Sequence, residues 1–216
     1  MKQQKLIVVI DQACIDGIKN SGNFELVLPD RHQSAIAKLG KKACDYKPEL
    51  VHSCLLMLLD SPLNKEGKLK IYVRTIKNII IKISKTTRIP RTFNRFCGLM
   101  SQLLQKHQIV TEDGESKVLM KLVRPPISMY FPENAIVYGV TKNTDKIVSP
   151  ESLIPNNDSN PAVFVISATD EQNVMLSSSE FVKREICLSH FEMSSEFACF
   201  KLCKLAFQKW IEANEK

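Results

Sequence analysis

Two periods of apolar and polar residues alternate along this chain of 216 residues, and their alternation predicts an α/β fold. Short apolar runs read as strands at 5–10, 69–75, 78–84, 117–123, 135–140 and 162–167. The 3.6-residue period marks helices at about 31–40, 49–59, 91–106 and 195–212, the first introduced by Pro29-Asp30. The loop Asp60-Ser61-Pro62-Leu63-Asn64-Lys65-Glu66-Gly67 divides a Leu-rich helix from a strand, and Arg124-Pro125-Pro126 and 150–161 are the other breaks. The pair 69–75 and 78–84 predicts a hairpin turning near Lys77-Asn78, an appendage on the main sheet. Leu6-Ile-Val-Val-Ile10 is too short for a signal-peptide core and meets Asp11 at once, so it reads as a buried strand.

The helix at 91–106 carries the strongest pattern. Phe93, Phe96, Cys97, Met100, Leu103 and Leu104 form one apolar stripe. Pro90 sits where a helix tolerates it, in or just before the first turn, which predicts a start near Arg91. Arg91 and Arg95 then lie one turn apart on the opposite face, with Arg88 just before them and Gly98 continuing their row. Three guanidiniums converge where the helix dipole already attracts anions. Only Glu66 interrupts the acid-free run between Asp60 and Glu112, so these arginines have no carboxylate close in sequence. The arrangement points to a phosphate backbone; a solvated surface face is the bland alternative.

Charge placement agrees with that reading. Residues 1–124 hold 22 Lys and Arg against 11 Asp and Glu, and residues 125–216 hold 8 against 12, giving +11 and −4, which sum to the whole-chain +7. One half is built to face a polyanion. No run approaches the ~20 apolar residues of a membrane span, and the cations do not sit on one long amphipathic helix, so RNA or DNA is favoured over a membrane. The seven cysteines lack Cys-x-x-Cys spacing, and with no secretory signal they read as reduced thiols of an intracellular protein. Cys199 and Cys203, one turn apart with only His190 near in sequence, read as core packing rather than a metal site. In the last helix Cys199, Leu202, Cys203, Ala206 and Trp210 form one apolar stripe, and Phe197, Phe200, Phe207 and Ile211 another. The second stripe is either buried within the chain or packed against a second copy.

Two runs bring a family to mind. His52-Ser-Cys-Leu-Leu-Met-Leu-Leu-Asp60-Ser-Pro-Leu-Asn-Lys65, and Arg88-Ile-Pro-Arg91-Thr-Phe-Asn-Arg95-Phe-Cys-Gly-Leu-Met100-Ser-Gln-Leu-Leu104, closely resemble the pseudouridine N1-specific small-subunit rRNA methyltransferases of the SPOUT, or trefoil-knot, class. The resemblance runs from Leu6 to Trp210. It implies one SPOUT-like domain over 1–216, RNA-facing over about 1–124 and closed by a C-terminal knot over about 125–216. It further implies S-adenosyl-L-methionine as cofactor, small-subunit rRNA and its precursor particle as partners, a homodimer, a role in ribosome assembly and a nucleolar location. RNA-binding roles fall on Arg88, Arg91, Arg95 and Lys47, the last standing in an arginine position and lacking the planar fork that grips phosphate. Asp60 matches a loop beside the reaction and is either a general base for the N1 proton or a turn residue.

The resemblance places cofactor contacts at Thr141, at Ser167 and Gln172, and at Leu188, Ser189, His190, Phe191, Glu192 and Met193. Here the chain departs from the family's pattern. All seven glycines lie at or before Gly139, and Ser167 and Gln172 stand where the family has glycines. One reading keeps the loops on their path, with Ser167 replacing glycine if its φ stays negative. The opposed reading has side chains closing the pocket, with Asp170, Glu171 and Glu192 adding negative charge, which leaves a catalytically silent rRNA-binding assembly factor. A nonspecific basic nucleic-acid module is the third alternative.

Overall fold

The first strand, β1 (Leu6–Ala13), is apolar at nearly every position because it is buried on both faces in the middle of a sheet. The computed structural model describes residues 5–20, 22–38, 40, 42–43, 46–111, 116–142, 144–155, 161–169, 178 and 180–211. After β1 come a hairpin, β2 (Gly17–Asn20) and β3 (Asn23–Leu26), a short α1 (Gln33–Lys38), and the long α2 (Pro48–Asp60) with α3 (Pro62–Lys65). Then follow β4 (Leu69–Thr75), β5 (Ile80–Ile83), α4 (Phe93–Lys106), β6 (Gln108–Val110) and β7 (Val118–Val123). A 3-10 turn at Ile127–Tyr130 leads to β8 (Ile136–Val140), α5 (Pro150–Leu153), β9 (Ala162–Ser167), β10 (Arg184–Ile186) and α6 (Ser195–Trp210).

Eight of these strands form one sheet in the order β10-β8-β9-β1-β4-β5-β7-β6. The first five run parallel, and β5, β7 and β6 add on antiparallel. The expected hairpin is therefore present but is no appendage, since β4 pairs with β1 in the sheet interior. Its turn lies where the sequence put it: Asn78 takes a left-handed φ of 59°, a conformation asparagine tolerates. One face of the sheet, with Leu6, Val8, Ile10, Ile71, Ile83 and Met120, packs against α2, α4 and α6. The other face, with Ile7, Val9, Tyr72, Val163 and Val165, lies under Ile127, Tyr130, Phe131, Phe181 and Val182.

The start of α4 differs from expectation. It begins at Phe93 with Thr92 as an extended N-cap, so Arg91 lies before the helix rather than in its first turn. The Pro90 carbonyl explains the delay, because it accepts a 2.7 Å hydrogen bond from His52 Nε2 and is not free to start a helical ladder. His107, at φ 62°, closes the helix with its N–H on Leu103 O. Along α6 the first stripe is buried against α2, while Phe197 and Phe200 are 52% and 45% exposed. Cys199 and Cys203 point into the α2–α6 interface toward Cys54 and Ser61, and burial pushes the Cys203 thiol up to about 12, so it packs as a neutral apolar group.

Candidate functional site

The segment between β5 and α4 is held extended and in place by three contacts. Ile89 is buried, Thr87 Oγ1 donates to Leu119 O at 2.7 Å, and His52 holds Pro90 while stacking on Phe96 with ring centroids 4.6 Å apart. Opposite it the end of α2 turns sharply. Ser61 Oγ donates to Leu58 O and accepts the Asn64 N–H, and Asn64 Nδ2 bridges Leu59 O and Lys85 O. These two pinned edges bound a cleft of about 610 Å³ lined by Asp60, Lys65, Arg88, Arg91 and Arg95, with Leu56, Leu59, Thr87, Ile89 and Pro90 as its apolar and backbone floor. The three arginines singled out in the sequence thus meet in one place, all exposed.

One expectation is corrected. Arg91 does have a carboxylate partner, for its Nη1 lies 2.5 Å from Asp60 Oδ2, a residue 31 positions earlier that sequence proximity does not bring near. With side chains 71% and 47% exposed, this is a surface pair of about 0–1 kcal/mol, which a phosphate can displace. Arg88 and Arg95 have no ion-pair partner among the described residues. Gly98 is open, with nothing near the place its side chain would occupy, so bare helix backbone does flank the cations. His52 enters the sequence reading only as the start of a motif run, with no role assigned; a lone polar residue on the buried face of an apolar helix was the available signal.

Lys47 is not part of this cleft. It is the N-cap of α2, and 13 residues at 1.5 Å rise put it about 20 Å from Asp60. At that end of the helix lies a second cavity of about 250 Å³, lined by Leu50, Lys142, Thr169, Glu192, Met193, Ser194 and Ser195. Three separate loops supply its walls. The first follows β8, where Thr141 N–H donates to Ile186 O at 2.9 Å. The second follows β9, and the third joins β10 to α6. Ser195 Oγ, at the start of α6, donates to Ser167 O at 2.7 Å and ties the last two together.

Of the sequence-predicted cofactor residues, Glu192 and Met193 line the cavity, and Thr141 and Ser167 each stand one or two positions from a lining residue. Leu188 is buried and its carbonyl accepts from Lys201 Nζ at 2.6 Å. Ser189 Oγ accepts the Phe191 N–H, while His190 and Phe191 are exposed, Phe191 at 81%. Gln172, Asp170 and Glu171 lie outside the described residues. Among the described non-glycine residues only Gln12, Asn78 and His107 have positive φ, so Ser167 keeps strand geometry. Its Oγ is turned to Thr169 Oγ1 at 2.8 Å and to Gln12 Oε1 at 3.4 Å, and it does not fill the cavity. Glu192 is offset by Lys142, with Nζ–Oε2 3.8 Å. A cation, hydroxyls and the first turn of α6 are a donor set that suits a zwitterionic ligand.

A family model described as EMG1/NEP1 methyltransferase matches residues 8–206. The ribosomal RNA small subunit methyltransferases NEP1 of Mus musculus and Homo sapiens are 37% and 36% identical to this chain, each over 96% of it and 82% of the relative. A solved structure, Archaeoglobus fulgidus Nep1 bound to S-adenosylhomocysteine, has a TM-score of 0.71 at 20% identity, covering 95% of this chain and 99% of that one. At that identity the likeness is one of fold.

Proposed function

This chain belongs to the EMG1/NEP1 methyltransferase family, and on that footing we propose that it transfers a methyl group from S-adenosyl-L-methionine to small-subunit rRNA, at N1 of a pseudouridine. The observation that carries the reading is the placement of two sites at the two ends of α2. One is an arginine cleft fit for phosphates, and the other a three-loop cavity fit for the cofactor. Bound there, S-adenosyl-L-methionine supplies a methyl group already activated on a sulfonium. The protein's part is to bind and orient. Lys142, Ser194 and Ser195 would hold its charged and polar groups, Leu50 and Met193 its apolar ones, while Arg88, Arg91 and Arg95 fix the RNA backbone. Leu50 to Asp60 spans ten helical residues, about 15 Å, so a bound RNA must run from the cleft to the cavity and present an unstacked base at the Lys47 end. In this reading Asp60 sets Arg91 in place, and because it lies about 15 Å along α2 from the cavity the N1 proton passes to solvent water rather than to its carboxylate. Against the silent alternative, the serine at one of the two glycine positions does not line the cavity, and Glu192 is offset by Lys142.

Titration with S-adenosyl-L-methionine tests this reading. At a hundredfold excess over Kd, binding should stabilise the fold by ~2.7 kcal/mol, with heat released or absorbed and label passed to a pseudouridine-containing hairpin. Neither heat nor thermal shift at millimolar cofactor would leave only the RNA-binding reading.

The family resemblance also supports a C-terminal trefoil knot, a part in small-subunit assembly and a nucleolar location. The outward Phe197 and Phe200, with Phe191 nearby in the chain, support a homodimer through α6. Light scattering should return twice the monomer mass, and replacing Phe197 and Phe200 by aspartate should halve it. A monomeric parent would end the dimer proposal.

A further inference from the structure

On the sheet face turned away from α2 and α4, the antiparallel half of the sheet carries a ladder of lysines that the arginine cleft does not use. Lys82 on β5 stands directly opposite Lys121 on β7, and on its other side pairs with Tyr72 on β4, two residues from Lys70. Residues directly opposite share a face, and diagonal neighbours lie about 7–8 Å apart, so Lys70, Lys82 and Lys121 form one slanting row. Lys5 closes the row at the sheet's centre, and the Lys70 pKa is lowered first by partial burial and then by the charges of Lys5 and Lys82. Lys70, Lys82 and Lys121 are exposed, and none of the four has an ion-pair partner among the described residues. No carboxylate occurs in the cross-strand row from Val9 through Tyr72, Lys82 and Lys121 to Gln108.

Two ordinary explanations fall short. Lysine guards exposed edges against aggregation, but β4, β5 and β7 each have a neighbour on both sides. Lysine is also disfavoured in strands, and like charges set opposite one another destabilise a sheet. A protein that keeps such a row uncompensated has a use for the positive field. We propose that Lys70, Lys82 and Lys121, with Lys5 beside them, are a second RNA surface that takes the sugar-phosphate backbone of strands flanking the target loop. Point charges on flexible stems suit backbone contact without sequence reading. The inference rests on RNA being the substrate, and it adds a footprint on the far side of the sheet from the arginine cleft.

The test compares two RNAs, the hairpin limited to the target loop and the same hairpin with its flanking strands. Each is titrated at several salt concentrations against the full chain and against Lys70→Gln, Lys82→Gln and Lys121→Gln combined. The combined variant should bind the long RNA about tenfold more weakly at moderate salt, with the slope of log K against log salt reduced by about 2 to 3. Its affinity for the short hairpin should be unchanged, and its thermal midpoint equal or higher, because repulsion has been relieved. The corresponding triple arginine variant should lose affinity for both RNAs yet still bind the long one more tightly than the short one. An unchanged affinity and slope for the long RNA would overturn the proposal. So would a ladder-dependent affinity for polyglutamate without one for RNA, which would assign the row to an acidic protein. If the parent protein bound neither RNA, the RNA reading itself would fail and this surface with it.

Discussion

Replacing Arg88, Arg91 and Arg95 together by alanine should weaken binding of the target hairpin by about 100-fold or more, equivalent to ~2.7 kcal/mol, and flatten its salt dependence by about 2 to 3. Cofactor affinity should not move, since the three residues line the cleft at one end of α2 and the cavity proposed for the cofactor lies at the other. The fold should hardly notice: all three side chains are exposed, and the single ion pair among them is of the kind that contributes little. The three residues should not contribute equally. Arg91 must leave Asp60 to engage a phosphate, so Arg91→Ala should cost least and Arg88→Ala or Arg95→Ala more. Asp60→Asn makes the point from the other side. It frees Arg91 and should raise hairpin affinity a few-fold at low salt, while methyl transfer continues. A variant that bound RNA normally but transferred nothing would instead make Asp60 the base. Hairpin affinity unchanged in the triple variant would remove the arginine cleft from the mechanism.

How much of this was legible from the chain depended on whether the physics was local. The strands β1 and β9 are buried on both faces along most of their length and so read as apolar runs, and β4 shows the same signal in its buried centre Ile71-Tyr72-Val73, between the polar Lys70 and Arg74. The helix α4 carries its stripe openly, but it starts two residues later than the pattern predicts, so Arg91 stands before it and only Arg95 of the three arginines lies on the helix. The hairpin β2–β3 was invisible because its eight residues are half polar and pack through one side only. Strand β10 is three residues long, two of them charged, and gains its place only by pairing with β8. Contacts that join distant positions left no signal at all. Asp60 and Arg91 are brought together by the ends of two elements, and His52 reaches Pro90 across 38 residues. Of the two positions where the family has glycine, Ser167 keeps a negative φ, so the lost glycine there does not by itself close the cavity, while Gln172 lies outside the described residues.

The largest loss of stability should come from Arg74, which no motif marks. Its Nε and Nη2 donate to the two Asp11 carboxylate oxygens at 2.6 and 2.8 Å, Nη2 also donates to Ser178 Oγ at 2.7 Å, and its guanidinium lies over the Phe181 ring at 4.8 Å. Asp11 is 1% exposed and Ser178 fully buried, and Ser178 Oγ donates to Asp11 as well. Arg74→Ala therefore leaves a carboxylate in the interior without its cation. Breaking such a pair costs about 3–5 kcal/mol, which for a chain of this length lowers the thermal midpoint by roughly 6–20 °C. Replacing both charges, Asp11→Leu with Arg74→Met, removes the stranded carboxylate and should recover most of that loss, as buried pairs exchanged for apolar residues commonly do. Cofactor affinity should not recover with it. Asp11 lies in β1, its carbonyl takes the Ala168 N–H at 2.7 Å next to Thr169 in the wall of the cavity proposed for the cofactor, and its carboxylate holds Ser178, so it ties the end of β9 to Ser178. The backbone bond survives in the double variant and the side-chain tether does not. Thermal melts and cofactor titrations on the same three proteins separate the two effects, and a double variant with normal cofactor affinity would reduce Arg74 and Asp11 to a purely structural pair.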